Sequence, residues 1–135
     1  MQTKVLFGSL LIIAALAQAT EALPLPPAVA ITYSNQCFGL NSGDLSGLRI
    51  TLLRGPGKSL WTVTYIRDEL PFLASAEYDA TSGAISFEGT NGGGPEIHFA
   101  GTVDAKELRV SSEGKSVVLR AISNIESKIP FCAEY

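Results

Sequence analysis

The sequence predicts an all-β fold, a small antiparallel meander of seven to eight strands, with a closed barrel preferred over a sandwich. Three observations carry this. Short runs alternate apolar and polar residues with a period of two. Turn-forming clusters separate the runs, most of them about 8–14 residues apart. No window of useful length repeats its apolar residues at helical spacing. Short sequential connections suit an up-and-down order, and closure removes exposed strand edges.

The chain begins with a segment that is read as an address. Lys4 precedes an apolar run from Val5 to Ala17, followed by Ala17-Gln18-Ala19, the small-x-small pattern of signal-peptidase sites. The run is about a dozen residues long, short of the ~20 that a spanning helix needs. Residues 1–19 are therefore expected to be a signal peptide, and the product to be secreted, extracellular or periplasmic, with no membrane span. The chain has 10 Lys and Arg against 13 Asp and Glu. Loss of Lys4 with the leader makes the remainder more acidic still. Its basic residues are scattered, which argues against nucleic acid as a partner.

Residues 20–28 form a Pro-rich entry segment, in which Pro24, Pro26 and Pro27 forbid helix. Residues 29–135 are expected to be a single β domain. Val29–Ser34 is a candidate first strand, and 39–47 reads as loop. Leu48, Ile50 and Leu52 alternate with Arg49, Thr51 and Leu53. Gly55-Pro56-Gly57-Lys58 turns into Leu60–Ile66, rich in β-branched and aromatic residues, and the two runs suit a hairpin.

Leu73–Tyr78 alternates again. Asp79–Gly83 closes a second hairpin into Ala84–Glu88, which carries Ile85 and Phe87. Gly89-Thr90-Asn91-Gly92-Gly93-Gly94-Pro95 is the longest turn. Ile97, Phe99, Gly101 and Val103 alternate with His98 and its neighbours. Leu108 and Val110 follow, and Glu113-Gly114-Lys115 turns into Val117–Ile122. The stretch 121–129, with Ile122, Ile125 and Ile129 spaced by three and four, suits one short helix.

Cys37 and Cys132 are the two cysteines, and export would place them in an oxidising compartment where they bridge. A loop of that length gives a bridge worth ~4–5 kcal/mol in the chain-entropy model. No Cys-x-x-Cys redox spacing occurs, and two Cys with one His are too few for a metal site, so no metal or cofactor is expected.

His98 is the only histidine. It lies on the face opposite Ile97 and Phe99, which turns it toward solvent if those two point inward. Gly39-Leu40-Asn41-Ser42-Gly43 does not have the spacing of a nucleophile elbow. The triple glycine lacks the Lys-Ser/Thr ending of a phosphate loop. Glu77 and Glu88 are expected to neighbour one another across a hairpin. No catalytic residue is assigned, and the chain is read as a non-enzyme.

The aromatic residues carry more. Trp61 and Tyr65 share a face with Val63, while Leu60 and Ile66 occupy the other, so both faces of 60–66 are apolar. Filling the core is the simplest role for these rings. A binding role would place Trp61, Tyr65 and Tyr78 at a pocket or strip. The leading expectation is a secreted, non-catalytic binding domain for a protein or a small apolar ligand. The alternatives are a small barrel isomerase or hydrolase using His98, and a self-associating structural or coat-type protein.

Overall fold

The computed structural model of the chain describes residues 30–57, 59–123 and 128–133. The signal peptide and the Pro-rich segment expected from the sequence lie outside the described residues. Ten strands follow one another. They are β1 (Ala30–Ser34), β2 (Cys37–Phe38), β3 (Leu45–Ser46), β4 (Leu48–Arg54) and β5 (Leu60–Ile66). After them come β6 (Phe72–Tyr78), β7 (Ala84–Thr90), β8 (Glu96–Val103), β9 (Glu107–Ser112) and β10 (Lys115–Ile122).

Eight of these strands form a closed antiparallel barrel in the order β1-β4-β5-β6-β7-β8-β9-β10, with β10 returning to β1. Every neighbour is the next barrel strand in sequence, so the fold is a pure up-and-down meander, as the sequence predicts. β2 and β3 form a two-residue ladder in the excursion between β1 and β4; β3 falls inside the stretch 39–47 read from sequence as loop, and β2 just before it. No helix occurs among the described residues. Ala121 and Ile122 finish β10 rather than opening the expected helix, and residues 124–127 of that stretch lie outside the described residues.

Alternation decides what fills the barrel. β4 turns Ile50 and Leu52 inward, β7 Ile85 and Phe87, β8 Phe99 and Val103, and β9 Leu108 and Val110, all buried. Partners in an antiparallel register share a face. Leu52 faces Thr62 and Ile50 faces Thr64, so β5 sends Leu60, Thr62 and Thr64 inside. Phe87 and Phe99 are register partners whose rings stack 5.0 Å apart inside the wall.

Two glycines mark places where the interior leaves no room. A Cβ on Gly101 would come within 1.8 Å of the Arg109 carbonyl oxygen on β9. A Cβ on Gly89 would strike the Phe72 ring, which lies across it. Small inward residues there let neighbouring backbone and ring approach closely, a recurrent device where barrel strands bend.

The two ends of the barrel differ. At one end lie the tight turns after β4, β6 and β8. Here Tyr33, fully buried, donates its phenolic hydrogen to the Asp104 carbonyl oxygen at 2.5 Å. Asp104 Oδ1 in turn accepts from the amides of Lys106 and Glu107, fixing the β8–β9 turn. Leu60, Val103 and Leu108 are buried at this covered end. At the other end lie the β2–β3 excursion and the loops after β5, β7 and β9.

Residues 128–133 form a strap on the outside of the barrel. Phe38 bridges to Phe131 in parallel, and backbone bonds run from the Phe38 amide to the Pro130 oxygen and from the Cys132 amide to the Phe38 oxygen. The Cys37–Cys132 disulfide, predicted from sequence, clamps this strap 95 residues along the chain from its partner.

Two outcomes test this packing. Gly101→Ala must displace β9 backbone and is expected to cost at least about 2 kcal/mol in urea unfolding. Tyr33 is held above its ordinary pKa of 10.0 by burial, then by the charges of Asp104 and Tyr78. A raised value means that the folded state keeps a proton the unfolded chain releases. Its contribution is therefore complete below about pH 10 and is lost as pH rises further. Tyr33→Phe should lower stability by about 1 kcal/mol at neutral pH. It should also flatten the fall in melting temperature above pH 10, measured as a thermal-melt series.

Candidate functional site

The strand ends at the second end of the barrel supply apolar side chains that no loop covers. Leu48 opens β4, Ile66 ends β5, Ile97 is the second residue of β8 and Val117 the third of β10, each on the inward parity of its strand. All four pack against the core yet stay only half-buried. With Phe99 and Val110 beneath them they line a cavity of about 230 Å³. Ser112, Glu113 and Lys115 form a polar rim on one side.

Local sequence explains why this end stays open. The β9–β10 connection is only Glu113-Gly114, and both residues have positive φ, 49° and 77°, as a type I′ hairpin turn requires. Such a turn is too short to fold over the mouth. The β7–β8 loop, Asn91-Gly92-Gly93-Gly94-Pro95, carries no large apolar side chain that could cap it. On β5, one inward position deeper than Ile66, Thr64 is fully buried and its hydroxyl has no hydrogen-bond partner among the described residues. Thr62, further in, is satisfied by donating to the Ala74 oxygen.

The three aromatic residues expected to bind are not brought together. Trp61 and Tyr65 lie on the outer face of β5. The Trp61 indole rests against the β4–β5 turn, where a Cβ on Gly55 would come within 3.3 Å of it, and the residue is 40% exposed. Tyr65 is half-buried beneath the Arg49 guanidinium, whose carbon sits 4.2 Å from the ring centroid. Tyr78 points to the other side of the wall and packs against the core. Outside, Leu53 is the register partner of Trp61, and Val63 that of Leu73. These four make an apolar strip, with Leu73 63% exposed. The two apolar faces of β5 seen in the sequence are thus a core face and this strip.

His98 stands outside the barrel, as its parity predicts. It is the register partner of Glu88, with Nδ1 2.8 Å from a Glu88 carboxylate oxygen, and both side chains are well exposed. Glu77 faces Ser86, not Glu88, so the expected direct pairing of the two glutamates becomes a diagonal one. A shallow outer groove runs beside the His98–Glu88 pair, past Ser75 and Ser86. Among the described residues no hydroxyl is hydrogen-bonded to His98, so the pair has a base and an orienting carboxylate without a positioned nucleophile.

Glu88, Glu96 and His98 offer ligand atoms within 4.8 Å of one another. Two carboxylates and an imidazole are chemically able to hold a divalent cation. All three are exposed, whereas metal ligands are ordinarily held by outer hydrogen-bonding partners. Sequence reasoning counted only Cys and His as ligands and passed over these carboxylates. It also passed over the mouth residues. Their signal was available: apolar residues at inward parity on strand ends, beside a loop of glycines.

In comparisons with family models, curated proteins and solved structures, nothing matches this chain. The site therefore rests on its own geometry. The buried Thr64 hydroxyl offers a check on the wall beneath the mouth. Thr64→Val removes an uncompensated polar atom at nearly constant shape and is expected to raise stability by about 1 kcal/mol in urea unfolding.

Proposed function

We propose that this chain is a small secreted binding protein, without a catalytic role, that takes a small apolar molecule into the open mouth of its barrel. One observation carries the reading: Leu48, Ile66, Ile97 and Val117 point inward at strand ends and remain half-exposed around an apolar cavity. Side chains that merely completed a core would be covered at both ends, as they are at the Tyr33 end. The cavity, about 230 Å³, lies below the ~300–1,000 Å³ of sites for drug-sized ligands. It suits a small molecule or the apolar end of a longer one. The Cys37–Cys132 bridge is compatible with the oxidising compartment that secretion implies.

A second reading draws on the outer strip of Leu53, Trp61, Val63 and Leu73. Trp61 and Leu73 are large apolar side chains left to solvent, which favours a protein surface docking there. A neutral dye separates the two readings. N-phenyl-1-naphthylamine emits more strongly when it enters apolar surroundings. The mouth reading expects saturable enhancement with the native protein, at least about tenfold weaker binding to Val117→Lys, and unchanged binding to Trp61→Ala. Undiminished binding to Val117→Lys, or loss confined to Trp61→Ala, would transfer the site to the strip.

A further inference from the structure

A second concave feature, shared by two separate parts of the chain, lies outside the barrel wall, where Asn35 and Arg49 adjoin Leu48 of the mouth. It is a cleft of about 330 Å³ between the C-terminal strap and the outer face of β1 and β4, with Arg49 and Lys128 in its lining. From this cleft we infer a second binding site, one for a small organic anion with an apolar body.

Charge is the first argument. The chain carries more acidic than basic residues, yet among the described residues no Asp or Glu lines this cleft. The charged residues that line it, among those described, are Arg49 from β4 and Lys128 from the strap, both cations. Among the described residues neither Arg49 nor Lys128 is paired with a carboxylate. Two cations facing one concavity repel each other, and an anion between them relieves that repulsion.

Preorganisation is the second. The Tyr65 ring takes one face of the Arg49 guanidinium at 4.2 Å and leaves its edge N–H groups free to fork a carboxylate. Asn35, at the floor, is oriented from behind: its Oδ1 accepts from the Leu48 amide at 2.7 Å, so its amide nitrogen remains as a donor. Next to it, buried Gln36 donates to the Arg67 oxygen and ties the floor to the β5–β6 turn. The strap cannot drift from this floor, because the disulfide and two backbone hydrogen bonds hold it to β2.

The remaining walls choose among anions. Ile122, Ile129 and Phe131 face the same space, and Phe131 is 67% exposed. Inorganic phosphate would leave these surfaces in water. A carboxylate on an aromatic or aliphatic body would meet the cations with its head and cover the walls with its body.

Sodium benzoate, its neutral analogue benzamide, and inorganic phosphate form a discriminating set of probes. Each is titrated into the 15N-labelled full chain while amide shifts are followed. The inference expects saturable benzoate shifts at Asn35, Gln36 and the strap from Lys128 to Ala133. It expects benzamide and phosphate each to bind at least tenfold more weakly. Arg49→Gln and Lys128→Gln should each weaken benzoate at least about fivefold with the barrel amides unmoved. Absence of benzoate shifts, shifts confined to the mouth, equal affinity for benzamide or phosphate, or indifference to both substitutions would overturn it. The mouth reading stands or falls separately, since its neutral dye and Val117→Lys do not involve this cleft.

Discussion

β1 and β10 meet along only three register pairs, Thr32 with Ile122, Tyr33 with Ala121 and Ser34 with Arg120, and this short seam closes the barrel. Without it the meander would present two unpaired edges, β1 having only β4 and β10 only β9. The seam also defines an inside. An open twisted sheet of this composition would have to bury its apolar face against another layer. The described residues supply no such layer, so the inward side chains must fill the barrel themselves. The hydrogen bond from Tyr33 to the Asp104 carbonyl draws the seam strand to the β8–β9 turn across the barrel. The disulfide acts just beyond the seam, joining the excursion after β1 to the strap after β10.

Closure makes parity decisive, and parity divides the molecule into three surfaces of different chemistry. Inward residues at mid-strand are core. Inward residues at the ends belong to the core where a turn covers them and to the mouth where none does. Outward residues form the apolar strip on β4–β6, the His98–Glu88 pair on β7 and β8, and the Arg49–Tyr65 stack beside the cleft. The mouth and the cleft lie on opposite sides of the same wall. The mouth is lined by apolar side chains with Ser112, Glu113 and Lys115 at its rim, whereas the cleft sets apolar walls beside two cations.

The fold class was legible because alternation and turn spacing report the period of a strand directly. The disulfide was legible because two cysteines allow one intramolecular pairing. Which way β5 faces was not legible from its own residues, since Leu60, Thr62, Thr64 and Ile66 are about as plausible a core face as Trp61, Val63 and Tyr65. β4 decides it: Leu48, Ile50 and Leu52 stand against Arg49 and Thr51, and the register Leu52 to Thr62 carries that choice across the hairpin. The register depends on the connection of five residues, 55–59, which the sequence reading also leaves between Arg54 and Leu60. A one-residue change in loop length exchanges the faces of the whole strand. That single parity sends two threonines into the core and Trp61 out, and it separates Tyr78 from the other two aromatic residues.

The sites were the least legible because each joins residues distant in sequence. The mouth gathers strand ends from positions 48 to 117, and the cleft pairs Arg49 with Lys128. A pattern search within one window sees Leu48 as one more alternating apolar residue and Arg49 as one more solvated charge. Closure turns the first into a rim. The returning strap turns the second into one wall of a cleft. The cysteines carry more than stability in this respect: by fixing the strap to β2, their bond holds Lys128 and Phe131 opposite β4. The interaction that secures the ends of the chain thereby also assembles the cationic surface.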